Sequence, residues 1–127
     1  MEVNIQDQFD PIQAIKTLRS NAEEIMKLGN EIKEKRLKLS LVKATLADKM
    51  KELRGEVFEG NIEIQATKLN DWIKYKSADE QLEVDTLTDE IKVLDGQLQI
   101  LIEINNTVKF SHKIWEMEMR NLNYQPE

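Results

Sequence analysis

The chain has 127 residues, a formal net charge of −6 and no cysteine, with 40% hydrophobic and 33% charged residues but only four glycines and two prolines. This composition favours long helices over a turn-rich β fold. The absence of cysteine excludes disulfides, thiolate metal sites and thiol nucleophiles. We find no signal-peptide pattern and no apolar stretch near the ~20 residues of a membrane span, so we expect a cytoplasmic protein.

A long first helix is predicted over residues 11–58. Asp10 can cap the free amides at its start, and Pro11 suits the first helical position because no amide hydrogen bond is lost there. Residues 1–10 are expected to form a flexible arm before the helix. Gly60 and Asn61 favour its end, since both readily adopt the backbone conformation of a C-terminal cap.

Apolar residues recur along this helix with the 3-4 spacing of a heptad repeat. One class of positions is apolar throughout and contains Leu18, Ile25, Ile32, Leu39, Leu46 and Leu53. The other class is mixed and contains Ile15, Ala22, Gly29, Arg36, Lys43 and Met50. We expect both classes to face partner helices, with the two cations restricting which partner fits.

A connector and a second long helix are predicted for the rest of the chain. Residues 61–76 form the connector, where a short helix from about residue 65 is favoured over a two-stranded hairpin of marginal stability. Ser77 and Glu80 have the spacing of a capping box that starts the last helix, predicted over residues 78–122. Its own 3-4 seam begins at Val84 and ends at Leu122.

These elements predict an all-α fold in which two long heptad-patterned helices form an antiparallel hairpin with a short connecting helix, as a single domain over residues 11–127. The last helix is apolar around more of its circumference than one partner helix can cover. We therefore expect several chains to assemble into a helical oligomer. The expected interface residues are Ile100, Ile104, Phe110, Ile114 and Trp115.

Charge is distributed unevenly along the sequence. Residues 27–54 carry nine basic and four acidic side chains, a net charge of +5, whereas residues 79–103 carry one basic and eight acidic side chains, a net charge of −7. Cations and aromatic residues are mixed in the connector, a combination that holds single-stranded nucleic acid through its phosphates and stacked bases. The candidate nucleic-acid contacts are Lys51, Arg54, Lys68, Trp72, Lys74, Tyr75 and Lys76. Alternatively, Trp72 closes the end of the hairpin and the lysines only face water.

Catalytic chemistry has little support in the sequence. His112 is the only histidine, and the chain has no glycine-rich phosphate loop. Glu116 lies one helical turn from His112, but two ligands do not make a metal site. A metal-dependent enzyme is the weakest hypothesis, and we expect no catalytic residue, metal or cofactor.

Three short segments resemble the UvsY-type recombination mediator proteins of tailed phages. They are Phe58-Glu59-Gly60 after the basic helix, Ser77-Ala78-Asp79-Glu80 before the second long helix, and residues 101–108 within it. The resemblance spans roughly residues 29–120. It implies a homo-oligomer, in the form of a ring, that binds single-stranded DNA in the host cytosol and helps a recombinase to displace single-strand-binding protein. It also implies that Lys51 and Arg54 contact the DNA.

A protein–protein interaction module, such as an adaptor, chaperone or inhibitor, is the alternative hypothesis. The overall acidity favours it, because residues 79–103 would repel phosphate if their carboxylates were unpaired. Asn106, which stands where the phage family often has arginine, favours it as well. The two hypotheses differ in where the cations lie: exposed near Tyr75 for DNA binding, or against the acidic helix for the interaction module.

Overall fold

The computed structural model describes residues 9–123, and this part of the chain is all-helical. Helix α1 spans Pro11–Phe58, a 3-10 turn spans Ala66–Lys68, helix α2 spans Leu69–Lys76 and helix α3 spans Ala78–Asn123. No strand occurs between residues 9 and 123, which confirms the predicted all-α class. Of the arm expected over residues 1–10, all but Phe9 and Asp10 lies outside the described residues.

Both ends of α1 are fixed by local hydrogen bonds. The Asp10 Oδ1 accepts from the amides of Ile12 (3.0 Å) and Gln13 (3.2 Å), as its predicted capping role requires. At the other end, Gly60 has a φ of 81°, a conformation that glycine adopts without steric cost. The Asn61 amide then reaches back to the Glu56 carbonyl at 3.0 Å, which completes a Schellman cap.

The capping box predicted at the start of α3 is not formed. Ser77 is fully buried, and its hydroxyl donates to the Ile73 carbonyl of α2 at 2.6 Å. The Glu80 carboxylate accepts from the ammonium group of Lys49 on α1 at 2.5 Å. A charged donor gives a stronger hydrogen bond than a backbone amide, which explains why Glu80 turns towards α1.

The described residues form two compact units. The terminal unit comprises the described residues up to Asn30 and those from Asp95 onwards, and the central unit is Glu31–Leu94. In the terminal unit, the Asn21 Nδ2 donates to the Oδ1 of buried Asn105 at 2.9 Å. Phe9, His112 and Trp115 form an aromatic cluster there, with ring centroids 5.9–6.0 Å apart.

The central unit has an aliphatic core flanked by ion pairs. Its buried apolar residues are Ile32, Leu46, Ile73, Val84, Leu87 and Ile91. Ion pairs join α1 to α3 at Lys35 and Glu90 (2.9 Å) and at Lys49 and Glu80 (2.5 Å). This unit therefore brings the basic part of α1 against the acidic part of α3.

Burial along α1 differs from the expectation for one of the two position classes. The class that begins with Leu18 is buried or half-buried, but Ile15, Ala22, Arg36 and Lys43 of the mixed class are exposed. The residues one position earlier are buried or half-buried instead: Ala14, Asn21, Leu28, Lys35, Val42 and Lys49. Either neighbour can flank the apolar class on a helix, and Leu28 and Val42 bury more apolar surface than Gly29 and Lys43 do.

Candidate nucleic-acid interface

The C-terminal part of α1 presents cations along one side. Lys43, Lys51 and Arg54 are exposed, and their spacing of eight and then three residues places them on one face of the helix. Phe58, four residues after Arg54, continues this face and is 93% exposed. We call these four residues the basic stripe. At 1.5 Å per residue it is ~22 Å long.

Two of the three carboxylates of the same part of α1 lie on the other side of the helix. Glu52 and Glu56 are rotated from Lys43 by about 180° and 220°, since each residue of an α-helix turns by about 100°. Asp48 lies three residues before Lys51 and so borders the stripe. A polyanion that approaches Lys43 and Arg54 therefore meets these cations with only Asp48 near the stripe.

The end of the stripe borders a small apolar cavity. Arg54, Gly55, Val57, Phe58 and Leu69 line a space of about 390 Å³. A guanidinium group and an exposed aromatic ring thus stand beside an apolar recess. Single-stranded nucleic acid is held by this combination, with the cation at the phosphate and the ring against a base.

Lys74 of α2 lies on the same side of α1 as the stripe. It lines a cavity of about 450 Å³ together with Met50, Ser77, Gln81 and Asp85, among others. Met50 follows Lys43 by seven residues, two helical turns along the same face. The Asp85 Oδ1 accepts a hydrogen bond from Gln81 Nε2 at 3.0 Å.

The other connector residues are only partly gathered at this place. The Lys76 ammonium lies 6.0 Å from the ring centroid of exposed Tyr75, whereas Lys68 is exposed and Trp72 is half-buried. The ring contact that Tyr75 makes is with Lys76 and not with a residue of the basic stripe. Of the predicted cations, Lys51 and Arg54 lie in the basic stripe and Lys74 lines a cavity with Met50. Lys76 lies beside the ring of Tyr75, and Lys68 is exposed elsewhere in the connector.

Two other cations face the acidic helix. The hydrogen bond from Lys35 to Glu90 raises the pKa of the Lys35 ammonium group. The hydrogen bond from Lys49 lowers the pKa of the Glu80 carboxyl group. The Lys35 ammonium and the Glu80 carboxylate therefore stay charged near neutral pH, and two carboxylates of the acidic segment have a cationic partner within the chain.

The expected interface residues on α3 differ in exposure. Ile100, Ile104 and Phe110 are exposed, whereas Ile114 is half-buried. Trp115 is half-buried and packs against Phe9 and His112 of its own chain. The exposed apolar surface on this part of α3 is therefore provided mainly by Ile100, Ile104 and Phe110.

Sequence reasoning missed two residues of the stripe. Phe58 was interpreted only as part of the helix end, although a large aromatic residue in the last turn of a basic helix is a recognisable stacking candidate. Lys43 was assigned to the mixed seam position. The preference for Val42 over Lys43 in the core would have placed this cation outside.

Among residues 9–123, no three His, Cys, Asp or Glu side chains are grouped so that they could hold a metal ion. The Nδ1 of His112 lies 3.4 Å from a carboxylate oxygen of Glu116. None of the described helices combines the length and the hydropathy needed to span a membrane.

Comparisons with protein-family models, with curated proteins and with solved structures gave no match to this chain.

Proposed function

We propose that the protein binds single-stranded DNA as a homo-oligomer and helps to load a recombinase, without catalysing a reaction itself. The observation that carries the proposal is the basic stripe, in which Lys43, Lys51 and Arg54 end at the exposed ring of Phe58. A row of cations can contact the phosphates of a single DNA strand, and an aromatic ring can stack on any base, so this combination suits single-stranded DNA of any sequence. The recombinase and single-strand-binding protein are partners of this proposed function.

The acidity of the chain is compatible with DNA binding because most acids of α3 are paired with lysines or lie apart from the stripe. Glu80 and Glu90 are paired with Lys49 and Lys35. The cavities on the side of Lys35 and Lys38 are lined by Asp79, Glu83 and Asp89. The cavity on the side of Lys74 and Met50 has one acidic residue in its lining, Asp85. At physiological salt the Debye length is about 8 Å, so acids on the far side are largely screened.

The proposed architecture is an antiparallel hairpin of α1 and α3 that assembles with further copies. Within the central unit, Lys35 pairs with Glu90 and Lys49 pairs with Glu80, so residue numbers rise along α1 as they fall along α3. This order supports antiparallel pairing. A ring or another oligomer would place several basic stripes along one DNA strand and raise the affinity through multivalency.

Fluorescence anisotropy of a labelled oligo-dT tests DNA binding directly. We expect micromolar or tighter binding at low salt, and at least tenfold weaker binding for K51Q/R54Q, because two phosphate contacts are removed. Exposed Lys109 and Lys113, in the terminal unit, provide a matched control with the same change of net charge. The variant K109Q/K113Q should bind like wild type.

Equal loss of affinity in both double variants would show that only net charge matters and would contradict a defined interface. A wild type that does not bind oligo-dT at low salt would contradict the proposal that the protein binds DNA.

The mediator role needs a separate assay. The readout is the rate at which a recombinase forms filaments on DNA that is already coated with single-strand-binding protein. The wild type should accelerate assembly, and K51Q/R54Q should not. Normal DNA binding without any acceleration would leave a DNA-binding protein that is not a mediator.

A second candidate function is the protein-binding adaptor, and the exposed side chains of Ile100, Ile104 and Phe110 favour it. Ile100 and Ile104 lie one helical turn apart and so form one exposed apolar patch, and such patches often mark an interface. Light scattering of I100Q/I104Q decides whether this surface joins copies of the chain. A lower mass would support the oligomer interface, whereas an unchanged mass together with no DNA affinity in the wild type would favour the adaptor.

A further inference from the structure

The cavity at the end of the basic stripe is formed by the last turn of α1 and the first residue of α2. It measures about 390 Å³ and is lined by Arg54, Gly55, Val57, Phe58 and Leu69. We call it the end cavity. Its volume falls within the range of small-molecule sites, ~300–1,000 Å³, so it can hold a planar group of the size of one nucleobase.

Gly55 keeps the end cavity open. The residue lies inside α1, where glycine is less favourable than every other residue except proline. Its φ is not positive, so no turn requires glycine here. A Cβ added to Gly55 would meet no side chain beyond those of its chain neighbours, and no other element, within 4 Å. Close packing does not require glycine either, and the result of the missing side chain is the space beside Phe58.

The charge around the end cavity favours a neutral occupant. The C-terminal end of a helix carries partial negative charge from its last carbonyl groups. Glu56 and Glu59, both exposed, add two carboxylates at this end of α1. A phosphate inside the cavity would therefore be repelled, whereas the exposed guanidinium group of Arg54 can hold a phosphate beside it.

Backbone groups next to the end cavity are already paired. The Gly55 carbonyl accepts a hydrogen bond from the Glu59 amide at 2.8 Å. The Val57 carbonyl accepts from the Gly60 amide at 3.1 Å. The cavity therefore offers apolar contact and the ring of Phe58, and such a ring stacks on any base.

We propose that the end cavity binds one base of a single DNA strand, stacked on Phe58, while Arg54 contacts a neighbouring phosphate. The occupant is a base because the basic stripe carries the strand to this point and the cavity itself repels phosphate. Gly55 determines binding through the space that it leaves. This inference rests on the DNA binding of the proposed function and assigns a site for one base within it.

A strand without bases tests the proposal from the side of the DNA. Oligo-dT and an abasic phosphodiester strand of the same length carry the same phosphates, and fluorescence anisotropy compares their affinities for the full chain. The wild type should bind the abasic strand about fivefold more weakly or worse, because stacking of one base is worth at least about that factor.

Substitution of Gly55 tests the proposal from the side of the protein. G55L fills the end cavity, so it should weaken oligo-dT binding by about fivefold or more and remove the difference between the two strands. Leucine favours a helix more than glycine does, so G55L should also melt at a higher temperature than wild type. F58A, at a residue that is 93% exposed and outside the core, should reduce the same difference between strands.

Gly96 provides a matched control in α3 of the terminal unit. It is exposed, and an added Cβ there also meets nothing within 4 Å. G96L should raise the melting temperature as G55L does, and it should keep the wild-type preference for oligo-dT over the abasic strand.

Equal affinity of the wild type for the two strands would overturn the base site while leaving the phosphate contacts of the proposed function intact. Folded G55L and F58A variants that keep the wild-type preference for oligo-dT would also overturn it. The same holds if G55L loses affinity for both strands by one factor, since a filled cavity affects only the strand with bases. A wild type that binds neither strand at low salt would contradict the proposed function together with this inference.

Discussion

The two compact units join α1 to α3 by different kinds of contact. In the terminal unit a neutral hydrogen bond joins Asn21 to buried Asn105. In the central unit partly exposed ion pairs join Lys35 to Glu90 and Lys49 to Glu80. A buried neutral pair is insensitive to salt, whereas ion pairs that water reaches are screened by it. The central unit is therefore the part whose electrostatics can respond to a charged partner.

The largest effect on stability is expected from the core of the central unit. Ile73 is only 2% exposed and holds α2 against the long helices. I73A should lower the free energy of unfolding by ~2–5 kcal/mol, because it removes buried methyl groups and leaves a cavity. Urea denaturation followed by circular dichroism measures the change. L82A, at an exposed position, is the control and should change stability little; similar losses in both would show that Ile73 is not a core residue.

Substitutions of the asparagine pair should have an intermediate effect on the terminal unit. N105A leaves the Asn21 amide without its partner and should cost ~1–3 kcal/mol. The double variant N21L/N105L removes both polar groups and should be close to wild type or more stable. The free energy of unfolding of N21L/N105L is compared with those of N21L and N105L. A loss in the double variant larger than the sum of the two single losses would indicate that the asparagine pair sets the register of the helices and cannot be replaced by an apolar contact.

The smallest effect is expected from the ion pairs, and it depends on pH. The pKa of Glu80 is lowered below its ordinary value of 4.5, so the pair with Lys49 stabilises the fold above that value and is lost as the pH falls through the folded pKa. The pKa of Lys35 is raised above 10.5, so its pair with Glu90 contributes fully below that value and is lost as the pH rises through the higher folded pKa.

Melting temperatures of E80Q and wild type should therefore differ at pH 7 and converge as the pH falls below the lowered pKa of Glu80. A constant difference across this range would mean that charge is not the cause.

The sequence alone specified the helical class and the local ends of α1. The side chain of Asp10 accepts from amides two and three residues later, and Gly60 acts through its own backbone conformation, so their roles do not depend on distant contacts. The capping box at Ser77 was wrong for the opposite reason, and the exposure of Ile15, Ala22, Arg36 and Lys43 within the chain differs from the expectation for the mixed class for that reason too. Whether Leu28 or Gly29 faces the core, and whether Glu80 binds an amide or Lys49, is decided by the neighbouring helix.

The candidate site was predictable where residue type alone decides the role, and not where the role depends on which face of a helix is exposed. Lys51, Arg54 and Lys74 were identified from residue type, and the structure places them on one side of the central unit. The roles of Lys43 and Phe58 required knowledge of which face of α1 is exposed. Sequence reasoning did not separate Tyr75 and Lys76 from the stripe, because adjacent residues in a short helix point in different directions.

The salt dependence of oligo-dT affinity tests the central claim most directly, namely that the basic stripe neutralises DNA phosphates. The logarithm of the affinity should fall linearly with the logarithm of salt concentration, and K51Q/R54Q should reduce the slope by about 1.4, since each lost contact to a single strand contributes ~0.7. K109Q/K113Q should keep the wild-type slope. An identical slope for wild type and K51Q/R54Q would contradict the assignment of the stripe as the DNA interface.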